Sequence, residues 1–90
     1  MPAAMPELSR FYGIIIRMFY GDHPPPHFHA VYQGEEVQVD LNTLEVIKGR
    51  MSRRALALVL EWAALHRAEL RAAWEQARQN QEPSKIQPLD

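Results

Sequence analysis

Three of the four histidines in this 90-residue sequence lie within one short segment, residues 22–29. Three consecutive prolines separate His23 from His27, and each proline fixes φ at about −65° and removes a backbone donor. The prolines exclude a helix or a central strand and predict a short polyproline-II bridge. His27 and His29 then begin a strand two residues apart, so we expect both imidazoles on the same face of a sheet.

This histidine segment has the residue types of a metal site. His23, His27 and His29, together with the carboxylates of Asp22 and Asp40, supply ligands that zinc, nickel or iron prefer. A pair of histidines two residues apart on a strand can chelate one ion, and a rigid loop can bring a third ligand. The three histidines are therefore candidate metal ligands, although their spacing matches no common zinc signature and no cysteine assists them.

The same imidazoles also suit proton transfer near neutral pH. A metal-independent ribonuclease needs histidines and a cation that holds the phosphate, and Arg17 on the neighbouring predicted strand could supply that cation. His27, His29 and Arg17 are therefore candidate catalytic residues. The structural alternative is that the histidines are half-exposed polar residues that stabilise a turn.

The basic residues form one local cluster that contains Lys48, Arg50, Arg53 and Arg54. Backbone amides at the start of the following helix add positive potential, so Arg50, Arg53 and Arg54 are candidates for binding a partner or a nucleic acid. A solvated run of charges is the alternative. The net charge of −1 argues against a dedicated duplex-DNA-binding protein, which usually has a basic excess.

Strand patterns fill the first half of the chain. Residues 11–20 are β-branched and aromatic and predict a central strand, whereas residues 1–9 are expected to be an exposed leader. A second strand is predicted from about His27 to Gln33, and two more follow at residues 36–41 and 44–48.

Two short turns between these strands predict their register. If Gly34-Glu35 and Asn42-Thr43 are two-residue loops, His29 lies opposite Asp40, and Asp40 lies opposite Glu45. This register separates a buried face from a polar face. The buried pairs that it predicts are Tyr32–Val37, Ala30–Val39 and Val39–Val46.

The C-terminal third predicts a helix. Ser52 is a good N-cap, and residues 53–81 contain neither glycine nor proline. Apolar residues form a broad helical stripe, and the first half is apolar almost all round, which marks either wide packing or a protein partner. A break into two helices near His66-Arg67 is an alternative to one helix of about thirty residues.

Together these patterns predict an α+β domain, in which an antiparallel meander of three to four strands packs on one face against a long C-terminal helix. The domain spans residues 10–81, and residues 82–90 form an extended arm. No cysteine and no membrane-spanning stretch is present, which favours a cytoplasmic protein. No dinucleotide fingerprint, phosphate-binding glycine loop or Ser/His/Asp elbow indicates a cofactor or a familiar catalytic class.

The sequence resembles a family of small prokaryotic proteins catalogued as domain of unknown function 4160. The residues that carry the resemblance are 9–14, 22–29, 53–56, 60–62, Trp74 and 85–89. The resemblance implies a partner, a second small protein of unknown function encoded beside such proteins, in an arrangement similar to a toxin–antitoxin pair. Three prolines stand in the loop where relatives are expected to have two, which would shift the approach of His27.

The leading functional hypothesis is therefore a component of a two-gene, toxin–antitoxin-like module that binds a small protein partner. A sheet face bearing histidines would be its active surface, with RNA or a second copy of the chain as alternative partners. A metal-independent ribonuclease and a histidine-based metal-binding protein are the two alternative functions.

Overall fold

The computed structural model describes residues 5–90 of the chain. Five antiparallel strands form one sheet in which each strand pairs with the next along the chain, and two helices follow. The elements are β1 (Glu7–Phe11), β2 (Ile14–Arg17), β3 (His27–Tyr32), β4 (Glu35–Asp40), β5 (Val46–Gly49), α1 (Arg53–Leu65) and α2 (Arg67–Arg78). The predicted α+β class and antiparallel meander are confirmed, but the predicted three to four strands are too few.

One side of the sheet and the inner sides of both helices form a single hydrophobic core. Alternate residues of β3 and β4 point into it, because successive side chains of a strand lie on opposite faces. Trp62 is the largest fully buried side chain, and its ring packs against Phe11 and Phe28. Other fully buried members are Leu8, Ile14, Ile16, Met18, Ala30, Val39, Val59, Ala63 and Leu70.

The predicted strand over residues 11–20 is wrong, because a hairpin turn at Tyr12-Gly13 interrupts it. Both turn residues have positive φ, +52° and +80°, as the two-residue type I′ turn requires. The turn returns the chain so that β1 pairs with β2. Residues 7–9, which were assigned to a leader, are therefore part of a sheet strand, and residues 1–4 of that leader lie outside the described residues.

The turn between β3 and β4 lies one residue earlier than the sequence analysis placed it, at Gln33-Gly34. Glycine is thereby at the second central position, where φ is +80° and a glutamate would be strained. The register therefore shifts by two residues, so that Ala30 pairs with Val37 and His29 pairs with Gln38 rather than Asp40. A two-residue shift keeps every side chain on its predicted face.

The β4–β5 connection is nearer to the prediction. Val39 pairs with Val46 as expected, and the backbone N–H of Asp40 donates to the carbonyl of Glu45. The Asp40 carboxylate makes no hydrogen bond to a histidine within residues 5–90. It accepts hydrogen bonds from the backbone N–H groups of Asn42 and Thr43 and so holds the turn.

Ser52 caps α1 as predicted, because its hydroxyl accepts a hydrogen bond from the backbone N–H of Ala55. The single long helix is wrong: the helix is interrupted at His66, where the sequence analysis allowed for a break. Among residues 5–90, no helix combines the length and the apolar character that crossing a membrane requires.

Residues 82–90 form an extended arm that is docked on the domain. The backbone N–H of Ile86, which is buried, donates to the carbonyl of Leu8 in β1. The indole N–H of Trp62 donates to the carbonyl of Gln87, 2.8 Å away. The arm therefore lies along the outer edge of β1 and contacts the core.

Two glycines with similar backbone angles allow a matched test of this register. Gly49 has φ +84°, and a Cβ there would overlap the carbonyl oxygen of Glu36 in β4. Gly34 has φ +80°, and a Cβ there would meet no atom within 4 Å. Gly34→Ala is expected to cost about 1–2 kcal/mol for the left-handed backbone alone, and Gly49→Ala about 1–3 kcal/mol more for the overlap.

Urea unfolding, analysed by linear extrapolation, measures both costs. Equal losses in the free energy of unfolding for Gly34→Ala and Gly49→Ala would show that β4 and β5 do not approach each other as described.

Candidate functional site

Two imidazoles lie next to each other on β3, because its first and third residues are His27 and His29. Phe28 and Ala30 are fully buried in the core, so the pleat places His27 and His29 on the opposite side of the sheet. Their ring centroids are 5.2 Å apart, which confirms that the two rings share a face. The rings do not form an open surface, however, because His27 is only 2% exposed and His29 only 4%.

Asp22 brings a carboxylate to this pair from the loop between β2 and β3. Its Oδ2 atom is 3.0 Å from Nε2 of His27 and 3.4 Å from Nε2 of His29. Its other oxygen, Oδ1, accepts a hydrogen bond from the backbone N–H of His23. We call Asp22, His27 and His29 the Asp-His-His cluster; one ligand atom from each lies within 4.8 Å of the other two.

The far nitrogen of each ring has a fixed partner. Nδ1 of His27 is 2.6 Å from the carbonyl oxygen of Pro25, and Nδ1 of His29 is 2.8 Å from a carboxylate oxygen of Glu36. A carbonyl and an ionised carboxylate only accept hydrogen bonds, so Nδ1 carries the proton in both rings. In the neutral form of either ring this leaves the Nε2 lone pair directed at the centre of the cluster, whereas in its protonated form His29 donates from Nε2 to Asp22.

The Nε2 atom of His27 has no hydrogen-bond partner among residues 5–90, although it is buried. The Asp22 oxygen is within reach at 3.0 Å, but its direction is not that of a hydrogen bond. Buried polar atoms are normally paired, so this ring nitrogen has an unused hydrogen-bonding or ligand position beside the carboxylate.

Aromatic side chains cover the cluster. The ring of Phe19, from the loop, meets His29 edge-on with centroids 4.3 Å apart. The ring of Trp74 in α2 lies 5.4 Å from that of His27. The backbone N–H of Gly21 donates to the carbonyl of Ala77 and attaches the loop to the same helix. The cover lowers the local dielectric and strengthens the electrostatic interactions within the cluster.

Opposing influences act on the carboxyl group of Asp22. Burial by itself raises its pKa, because it disfavours the charged form. The hydrogen bonds from the His23 backbone and the His29 ring, and the charges of His27 and His29, outweigh burial, and the net effect lowers the pKa of Asp22 below its ordinary value. The carboxylate is therefore ionised and available as a ligand at neutral pH.

The structure brings only some of the predicted site residues together. Arg17 of β2 pairs with His29 across the strands and lies on the same side of the sheet, half-buried. Asp40 pairs with His27 in the backbone register, but its carboxylate holds the next turn. Asp22 thus takes the position among the histidines that the predicted register gave to Asp40.

His23 stands outside the cluster that the sequence analysis expected it to join. Its side chain is 87% exposed, and its Nδ1 atom lies 3.0 Å from Oδ1 of Asp22. The predicted basic residues Arg50, Arg53 and Arg54 are also exposed, at the end of β5 and in the first turn of α1. The backbone N–H of Arg50 donates to the carbonyl of Glu36, but no hydrogen bond described within residues 5–90 joins the three arginine side chains to the imidazoles.

Glu36 is the site residue that sequence reasoning missed. In the observed register it is a diagonal neighbour of His29, two residues before Gln38 on β4, which is within side-chain reach. The signal was present in the glycine of Gln33-Gly34, because a type I′ turn placed there sets this diagonal. The contact of Trp74 with His27 was not predicted either, because it depends on the break between the helices and on the path of the loop.

The comparison with known protein families matches residues 13–75 to the family described as "Domain of unknown function (DUF4160)". The chain belongs to this family. The match spans the Asp-His-His cluster, Glu36 and Trp74 and agrees with the resemblance seen in the sequence. No curated protein matches the chain, and no solved structure does.

The ring N–H groups of the histidines provide a direct test of the site geometry. In metal-free protein, nitrogen-15 NMR should show protonated Nδ1 atoms in His27 and His29 that exchange slowly, because both are buried and hydrogen-bonded. The ring of His23 is exposed and should exchange rapidly, so it serves as the internal control. Slow signals from Nε2 with Nδ1 unprotonated in either buried ring would contradict the described hydrogen bonds.

Proposed function

We propose that this protein binds one divalent transition-metal ion through Asp22, His27 and His29. The observation that carries the proposal is the convergence of two buried Nε2 atoms on one oxygen of Asp22, while both Nδ1 atoms are already occupied. Two neutral imidazoles would place two lone pairs against a negative oxygen, an arrangement that needs positive charge, either as ring protons in the metal-free protein or as a metal ion. A single metal ion would satisfy all three groups.

The distances between the ligand atoms support this proposal. A tetrahedral zinc ion with bonds of about 2.0–2.1 Å holds neighbouring ligand atoms about 3.3 Å apart. The Asp22 oxygen lies 3.0 Å and 3.4 Å from the two Nε2 atoms, close to this spacing, and all three ligand atoms lie within 4.8 Å of one another.

The groups behind the ligands also fit a metal site. A histidine that binds a metal usually donates its other N–H to a carbonyl or carboxylate, which fixes the ring and raises its basicity. The carbonyl of Pro25 does this for His27, and the carboxylate of Glu36 does it for His29. Two imidazoles and one carboxylate suit zinc, iron(II) or nickel rather than calcium or magnesium, which prefer oxygen ligands.

Burial makes the ribonuclease alternative less well supported than the metal site. A general acid or base must come within hydrogen-bond distance of its substrate. His27 and His29 are 2% and 4% exposed and are covered by Phe19 and Trp74, which leaves an RNA phosphate little access to either ring. The observation that favours the ribonuclease hypothesis is the position of Arg17 opposite His29 on the neighbouring strand.

Metal titration of untagged, chelator-treated protein tests the proposal. We expect one zinc ion per chain, and a gain in stability of about 2.7 kcal/mol at a free concentration one hundred times Kd. His27→Asn and His29→Asn remove the Nε2 ligand while an amide takes the place of Nδ1, so both should abolish stoichiometric binding. Calorimetric titration and thermal unfolding measure the two effects.

His66→Asn is the matched control, because His66 is the fourth histidine and lies outside the loop, where it contacts Glu69. It should bind zinc as the wild type does. Absence of a one-to-one complex in the wild type, or equal losses in His66→Asn and His27→Asn, would refute the metal site.

Glu36 gives a second, graded test. Glu36→Gln keeps the shape of the side chain but removes the charge that accepts the His29 N–H, so zinc affinity should fall by about 10- to 100-fold. Glu45→Gln, a like change at an exposed position near the next strand, should leave affinity unchanged. Calorimetry on both variants provides the comparison, and an unchanged Kd for Glu36→Gln would contradict the assigned hydrogen bond.

A role as the interaction component of a toxin–antitoxin-like module in the cytoplasm is our second proposal. The supporting observation is the edge strand β5, where Val46 and Ile47 are 38% and 43% exposed. Such an edge can add a strand from another chain. The partner would be the small protein encoded beside members of this family, with a second copy or RNA at the exposed arginines as alternatives.

Co-expression with the product of the neighbouring gene tests this second role. We expect a stable complex that Ile47→Lys weakens at least about tenfold, because a charge would replace an apolar contact at the edge. Leu65→Lys, at an exposed position at the end of α1, is the control. If the two proteins elute separately at micromolar concentration, this role is excluded.

A further inference from the structure

We infer that His23 is the fourth ligand, which moves onto the metal when it binds and closes the site to water. This inference rests on the proposed metal site and adds a coordination number and a structural role to it. The two Nε2 atoms and Asp22 account for three ligands, whereas zinc in a closed structural site takes four.

His23 is the nearest free imidazole. Its ring centroid is 6.1 Å from that of His27, and its Nδ1 atom already lies 3.0 Å from Oδ1 of Asp22. The Oδ2 atom of the same carboxylate faces the two buried Nε2 atoms. One oxygen of Asp22 therefore contacts His23, and the other faces His27 and His29. A short movement of the His23 ring would reach the ion.

Because His23 is exposed, the free-energy cost of this movement is small. Its side chain is 87% exposed, and its ring is not held by packing, so turning it requires no repacking of the core. The proline that follows restricts its backbone to extended conformations, which limits the directions that the ring can take. The backbone N–H of His23 donates to Asp22 and keeps the two residues in a fixed relation.

A metal ion held by four protein ligands would have a structural role. An ion with no open position cannot activate water or hold a substrate, and it instead contributes folding free energy. Asp22 and His23 belong to the loop, and His27 and His29 belong to β3, so the ion would fasten the loop to the sheet. The metal would thus act as a structural or sensing element and not as a catalyst.

Cobalt(II) as a probe of the full chain tests this inference, because four-coordinate cobalt absorbs visible light far more strongly than five- or six-coordinate cobalt. We expect strong absorption for the wild type and for the control His66→Ala. His23→Ala should still bind one ion through His27, His29 and Asp22, with a shifted visible spectrum, because water replaces the imidazole, and an affinity at least about tenfold lower.

The outcomes separate the inference from the proposal on which it rests. If His23→Ala and the wild type give the same cobalt spectrum and the same Kd, the metal site stands and the role of His23 is refuted. If the wild type binds no cobalt or zinc, the site itself is refuted. Because His23 is exposed, a folding defect is not expected, and circular dichroism of each variant verifies this.

Discussion

The pleat of β3 commits alternate residues to opposite sides of one sheet, and the rest of the structure depends on that alternation. Phe28 and Ala30 are fully buried in the core, where Phe28 packs against Trp62 of α1, so His27 and His29 project from the other side of the sheet. A one-residue slip would bury two imidazoles in the apolar core and move a phenyl ring under the loop. The hydrophobic core therefore orients the histidine pair, and no interaction between the histidines is needed to do so.

The loop between β2 and β3 turns this polar side into an enclosed site. Burying ionisable groups is unfavourable unless they are paired, and each of these imidazoles has a hydrogen-bonding partner at its outer nitrogen. Pro25 and Glu36 hold the outer nitrogens of the two rings, and Asp22 faces their inner nitrogens. The polar contacts thus point inward, which distinguishes the cluster from a hydrated sheet face.

Sequence reasoning predicted the features that depend on local pattern. The common face of His27 and His29, the Ser52 cap and the break near His66 each depend on side chains close together in the chain. It failed at Tyr12-Gly13, because the surrounding apolar residues concealed a type I′ turn. The meeting of Asp22 with the histidines depends on the path of an irregular loop, for which sequence periodicity carries no signal.

The two edges of the sheet differ, because the arm is docked along β1 whereas β5 is exposed. Within residues 5–90, the arm lies along β1 through the Ile86–Leu8 hydrogen bond, whereas β5 has no strand on its outer side. Pairing of two copies through β5 would use up the open edge of each. Growth would therefore stop at a closed pair, because a fibre needs a subunit that can be extended in both directions.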